Sequence, residues 1–412
     1  MNNSSKNIHI IGAGISGLIT AIVLENAGFS PTIIEASNRV GGRVKSDVVD
    51  GYVLDHGFQV LLEAYPKAIQ YLDYKTLDLQ RLLPGAVIYK NGTQQTIGDP
   101  LRNFSLLLPT LFSNIGSIKD KLAIFKLNLA LKKKSIKAIF SETSNTSTLE
   151  YLRAKGFSER IINNFFNPFF TGIFLETELS TPSKMFEFIY KMFGEGLAVI
   201  PKQGIQAIPN ALKLKLTTTN IVFNTKVKTV EEKRIILEDG TVINTDITII
   251  ATESSKLLQK ETAIHWKSCD TLYFTVEKDT LKKPIIGLLA DENALINNIF
   301  YTTSINNDNI KDDAVLSVTI VKPHAYKETE LVKIVEAELD TICNIKTKVF
   351  IKRYTIKRAL PNLEFVNYES NSSDFKYSNS IYLAGDYTLN GSLNAAMSSG
   401  EIVAKDIIKH FS

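Results

Sequence analysis

The residues best suited to chemistry stand at the start of the chain. Gly12-Ala13-Gly14-Ile15-Ser16-Gly17 spells G-x-G-x-x-G between an apolar run at residues 7–11 and a helical pattern at 16–26. In such a loop the first glycine permits a tight turn and the second lets the backbone approach a pyrophosphate. The third lets helix and strand pack closely. The first backbone N–H groups of the helix, around Ile15 and Ser16, have no intrahelical acceptor, so they and the helix dipole meet negative phosphates. Glu35 closes the next apolar run, 18 residues after Gly17, where a carboxylate accepts hydrogen bonds from a ribose. A glycine turn alone is weak evidence. Strand, loop, helix and acid in this order point to dinucleotide binding.

The next segment narrows the ligand. Ala36-Ser37-Asn38-Arg39-Val40-Gly41-Gly42-Arg43 carries two glycines that let the chain pass near a ligand, and an arginine whose forked donors suit phosphate. This run resembles the E-A-x-x-x-x-G-G-R segment of the flavin amine oxidase superfamily, which includes monoamine oxidases, protoporphyrinogen oxidases and plant-type carotenoid desaturases. Asp55-His56-Gly57-Phe58-Gln59-Val60 resembles a stretch of plant-type phytoene and zeta-carotene desaturases, with Gln59 where that family has histidine. Val227 lies where relatives place a valine whose backbone contacts adenine. Gly385-Asp386-Tyr387-Thr388 is similar to the desaturase G-D-Y-T, whose aspartate binds the ribityl–pyrophosphate region. Residues 392–400 resemble the following helix start, with Leu393 near the flavin and Asn394 in place of glutamate. The resemblance implies FAD and two-electron dehydrogenation of a lipophilic, isoprenoid-like substrate. An amine or a porphyrinogen is the alternative. Rab dissociation-inhibitor-like proteins, which share the fold without flavin chemistry, give a non-catalytic alternative.

No second G-x-G-x-x-G follows another strand, and Gly194-Glu195-Gly196 reads as a loop. A built-in nicotinamide domain is therefore not expected, and oxygen, a quinone or a redox protein is the expected electron acceptor. Cys269 and Cys343 lie far from the C-terminal motif, so the flavin is expected to be non-covalent. His56 and Tyr387 are the weak catalytic candidates because they adjoin flavin motifs. The five histidines lack metal spacing, and no metal is expected.

The elements that must position these residues follow from pattern. Residues 7–11, the helix at 16–26 ended by Gly28, and residues 32–35 make a βαβ opening. Residues 220–230, 233–237 and 241–251 read as strands, as does 380–384 before a helix at about 392–410. Residues 100–200 are helical in pattern, and 256–350 mixes strands with a helix near 328–339. The expected architecture is α/β: a Rossmann-like FAD-binding domain from 1–80, 200–255 and 350–412, interleaved with an α+β substrate domain from 81–199 and 256–349.

A length of 412 residues suits two domains. The net charge of +4 gives no concentrated basic face for nucleic acid. Residues 1–6 are short and polar and no apolar stretch reaches membrane-spanning length, so a cytoplasmic protein is expected. One segment stands out. Phe104-Ser105-Leu106-Leu107-Leu108-Pro109-Thr110-Leu111-Phe112 is followed by Lys121, Lys126 and Lys132-Lys133-Lys134. It reads either as a cap over a substrate cavity or as a peripheral membrane contact.

Overall fold

The computed structural model describes residues 6–142, 145–259, 264–305 and 313–411. The polar lead-in at residues 1–5 lies outside them. The half that carries the glycine loop is built on a five-stranded sheet. Strand β1, Ile8–Ile11, lies at its centre, with β2, Thr32–Ile34, on one side and Ile247–Ile250 on the other. Asn220–Val222 flanks β2, Ile381–Leu383 forms the far edge, and every neighbouring pair is parallel. The apolar runs are buried on both faces, which is why they read as continuous rather than alternating. Ile10, Ile33 and Ile249 face one core together with helix α1, Ile15–Asn26, and the C-terminal helix, Leu393–Phe411. Ile11, Ile34 and Ile250 face the other way, onto a small antiparallel meander of Val227–Glu231, Arg234–Leu237 and Val242–Asn244.

The second half is a seven-stranded sheet, largely antiparallel, with helices against it. Its order runs Thr347–Pro361, Trp266–Val276, Ala314–Ile320, Ile296–Tyr301, Ile286–Leu289, Gly85–Lys90, Thr93–Gly98. Helices between residues 107 and 195 form a cap, whose core packs Phe166, Phe170 and Phe186 with Tyr190. Helix Glu328–Cys343 buries Leu331, Val335 and Leu339 against the sheet, the spacing of one helical face.

Four sequence readings change. Residues 220–230 are two strands in different sheets, because the chain turns at Asn224 with φ +53°. Residues 241–251 likewise divide, Val242–Asn244 into the meander and Ile247–Ile250 into the parallel sheet. Gly194-Glu195-Gly196 is no loop: Gly194 and Glu195 finish the helix Ser183–Glu195, and Gly196 follows it in extended conformation. Strand Thr347–Pro361 pairs with Trp266–Val276, so residues 350–361 belong to the larger sheet rather than with the parallel strands.

Candidate functional site

The order of the parallel strands reverses at β1, since the chain first builds outward through β2 and then returns to the other side. A crevice at the carboxyl ends of such strands is where open α/β sheets bind ligands. The glycine loop sits there. Gly12, with φ +102°, donates its N–H to the Ile34 carbonyl at 2.8 Å. A side chain on Gly17 would meet the Gly12 carbonyl oxygen at 2.1 Å, so close packing of α1 on the turn demands glycine. Gly14 differs: a Cβ built there meets nothing within 4 Å. Gly14 also precedes α1 without any side-chain cap, and Ile15 and Ser16 open the helix. The protein itself does not require a glycine at position 14, and the uncapped N–H groups point to an anion there.

Glu35 is buried and fixed. It accepts from the Ala13 N–H at 2.7 Å, the Ser37 N–H at 2.8 Å and the Ser37 hydroxyl at 2.7 Å. Three donors leave about one of a carboxylate's four acceptor positions for a ribose hydroxyl. Ala36 is exposed beside it. The Gly41 N–H bonds the Ala13 carbonyl at 2.9 Å, and a Cβ on Gly42 would approach the Gly14 Cα to 3.5 Å. The second glycine pair is thereby pressed against the first.

Arg43 and Asp386, 343 positions apart, form a forked ion pair. Nη1 donates to Oδ2 at 2.9 Å and Nη2 donates to Oδ1. The Asp386 side chain is 4% exposed and the Arg43 side chain 40%, so the pair is anchored on the aspartate side. Nη1 also reaches the Ala359 carbonyl at 3.1 Å, and the guanidinium lies over the Trp266 ring, 5.1 Å from its centre. The Gln59 amide braces the same loop by donating to the Arg43 and His56 carbonyls. Trp266, Ala359 and this use of Gln59 escaped the sequence reading. The only tryptophan of the chain was a signal worth weighing.

Around Asp386, the Gly385 N–H donates to Ser399 Oγ at 3.0 Å. A Cβ on Gly385 would strike the Tyr387 ring at 2.3 Å. The Tyr387 hydroxyl donates to the Thr252 carbonyl at 3.2 Å, and burial holds its pKa above the ordinary phenol value. Tyr387 thus fastens two strand ends together. Ser392 caps the C-terminal helix by accepting from the Ala395 N–H, Leu393 is half-buried at its first position, and Asn394 Oδ1 accepts from the Lys67 N–H. Gly400 leaves no room for a side chain, which would come within 2.4 Å of the Ser16 carbonyl. The C-terminal helix is pressed onto α1 at the phosphate loop.

His56 bonds Asp47 Oδ2 at 2.8 Å and packs, tilted, against the Tyr354 ring. Burial lowers its pKa, against the opposing pull of Asp47. Burial works against the Asp47 charge, but Arg39, His56 and Tyr354 donate to it and bring it to about 2. This is a structural network. Gly57 has φ +93°, and Phe58 packs on Phe300. Asp55 is pushed up to about 6 by burial, partly offset by Ser46 and the Ile205 N–H. Gly204 lies against it, since a Cβ there would be 2.8 Å from Asp55 Oδ1. Val227 is buried in the meander core, its strand opening just past the Asn224 turn. Among the described residues no group of three or more His, Cys, Asp or Glu side chains is arranged to hold a metal ion. Cys269 and Cys343 are free, and burial pushes both thiols up to about 12.

The fold is an α/β protein with a parallel five-stranded sheet, a second, largely antiparallel sheet and a helical cap. Over residues 15–408 the chain matches the flavin containing amine oxidoreductase family, and it belongs to that family. It is 28% identical over 178 residues to protoporphyrinogen oxidase 2 of Arabidopsis thaliana, covering 41% of this chain and 32% of that one. It is 45% identical over 69 residues to hydroxysqualene dehydroxylase of Rhodopseudomonas palustris, 16% of each chain. The chain thus spans a third or less of the length of these relatives. A redesigned putrescine oxidase has the same fold, with a TM-score of 0.72 at 16% identity over 98% of this chain and 99% of that one.

Proposed function

We propose that the chain binds FAD non-covalently and oxidises a lipophilic, isoprenoid-like small molecule by two-electron dehydrogenation. The carrying observation is the convergence of the open Gly14 loop, the fixed Glu35 and the Arg43–Asp386 pair at one strand-end crevice. Gly14, Ile15 and Ser16 would hold the pyrophosphate, Glu35 the adenosine ribose, and Val227 the adenine side. Arg43 and Asp386 would hold the charged middle of the cofactor. Ser392 and Leu393 would set the C-terminal helix start against its far end. Bound flavin supplies a two-electron acceptor. The protein's part is orientation and exclusion of water, and it needs no dedicated base for that work. His56 and Tyr387, both fastened in structural bonds, are positioning residues in this reading. We assign residues 81–199, 256–349 and the strand Thr347–Pro361 to the substrate half.

The lipophilic substrate is supported by the desaturase-like motifs and by the short, 45% identical match to hydroxysqualene dehydroxylase. The longer match to protoporphyrinogen oxidase keeps a porphyrinogen as the second reading. Oxygen, a quinone or a redox protein would accept the electrons. The test is anaerobic flavin bleaching with three substrate sets: isoprenoid hydrocarbons and alcohols, porphyrinogens, and amines. Bleaching by the first set supports the reading. Bleaching by amines alone contradicts it, and a protein that takes up no flavin is a binding protein instead.

A further inference from the structure

The cap presents an apolar face to solvent in a way that packing does not explain. Phe104, Leu107, Leu108, Leu111 and Phe112 recur at the spacing of one helical face and are all exposed, Phe104 by 79% and Phe112 by 76%. The next helix, Ile118–Lys133, has two stripes. Asp120, Leu127 and Leu131 face inward and are buried, while Ile118, Leu122, Phe125 and Leu129 face outward and are exposed. A helix apolar on both faces normally covers both. Contiguous exposed apolar surface of this kind marks an interaction site.

Nor is the segment slack. Arg102 donates to the carbonyls of Phe193 and Gly196, and Thr110 bonds the backbone of Gly98 both ways. Lys121 donates to the carbonyls of Leu111 and Ser113, clamping the first stripe beside the second. The outward display is built in.

Charge identifies what covers it. Residues 101–137 hold eight Lys and Arg against one acid, the buried Asp120, a net of +7. The whole chain nets +4, so everything outside this segment nets −3. Lys119, Lys126, Lys132 and Lys133 are exposed around the apolar stripes. Along the same helix a groove of about 410 Å³ is lined by Lys119, Lys126 and Lys155, by Lys134 paired with Glu187, and by Leu122 and Tyr151. Apolar stripes edged by lysine match a surface with a hydrocarbon interior and anionic head groups. No described helix is long and apolar enough to cross a membrane, so contact from this face would be peripheral.

We propose that the face formed by residues 104–133 docks on an anionic lipid bilayer. The experiment is sedimentation of the full-length, FAD-loaded protein with vesicles of phosphatidylcholine plus phosphatidylglycerol, and with phosphatidylcholine alone. Binding to the anionic vesicles that falls with added salt is expected. Lys132→Glu with Lys133→Glu, and separately Leu108→Ser, Leu111→Ser and Phe112→Ser together, should each lower partitioning about tenfold or more. Leu214→Ser, at an exposed apolar site in the nucleotide half, should leave it unchanged. An unchanged flavin spectrum shows that each variant is folded. Absence of binding to either vesicle overturns the proposal, as does binding that the variants leave intact. A dimer that the apolar substitutions dissociate, without vesicle binding, assigns the face to a second copy and also overturns it.

Discussion

The cradle and the cap invert the usual distribution of polar and apolar groups in opposite ways. In the cradle, charges go inside: Glu35 is buried with three donors, and Asp386 is buried against Arg43. In the cap, apolar groups go outside, from Phe104 to Leu129, on a backbone pinned by Arg102, Thr110 and Lys121. Each departure is costly in isolation, whether as a desolvated charge or as hydrated hydrocarbon. Each is held in place by specific bonds. The difference teaches what each region lacks: the cradle is complementary to an anion with hydroxyl groups, and the cap to an apolar surface with negative charge.

If that comparison holds, cradle substitutions should cost ligand retention, whereas substitutions on the outward stripes of the cap should cost neither retention nor stability. The largest effect is expected for Gly17→Val. Its Cβ would collide with the Gly12 carbonyl, destabilising the nucleotide half by about 3 kcal/mol or more and abolishing flavin retention. Thermal unfolding and the visible spectrum read both. The two stripes of the helix Ile118–Lys133 come next. Leu127→Ala on the inner stripe should cost about 2–5 kcal/mol, while Phe125→Ser on the outer stripe should stay within about 0.5 kcal/mol. Equal losses in denaturant titrations would mean that the outer stripe is packed after all.

Asp386→Ala should weaken FAD binding at least about tenfold by removing the anchor of Arg43. Mutant protein that purifies with full-occupancy yellow flavin would break the cradle side of the comparison. The smallest effect is expected where the two halves meet, at Asp55. Its folded pKa of about 6 lies above the ordinary 3.8, so the fold prefers the protonated carboxyl. The native protein then loses stability as pH rises between these values, and Asp55→Asn does not. The variant should gain on the native protein by on the order of 1–2 kcal/mol as pH rises from about 4 to about 6, then hold level. A difference in melting temperature that does not vary with pH would contradict this.

How much of this the sequence disclosed depended on distance along the chain. The βαβ opening was legible because Gly12, Gly14, Gly17 and Glu35 act through local geometry, a turn and a helix end. Arg43 and Asp386 were each marked by a motif, but only the fold shows that they grip one another. Trp266 reaches Arg43 through the pairing of Trp266–Val276 with Thr347–Pro361, a long-range contact with no local pattern. The alternation over 220–230 concealed a sheet boundary, because one αL residue, Asn224, redirects a chain whose side chains read as uniformly strand-like. In the cap, periodicity revealed the apolar stripes but not their sense. A 3.6-residue repeat is the same facing a core or facing a bilayer.

The central claim is that Gly14 is kept for a ligand and not for the fold. FAD titration into deflavinated protein, native against Gly14→Ala, tests it most directly. A Cβ there meets nothing within 4 Å in the protein, so both forms should melt within about 1 kcal/mol of each other. The native form should bind one FAD, released intact by acid, and the variant should bind at least about tenfold more weakly. Native protein that takes up no FAD, or a variant that binds it equally well, would contradict the account.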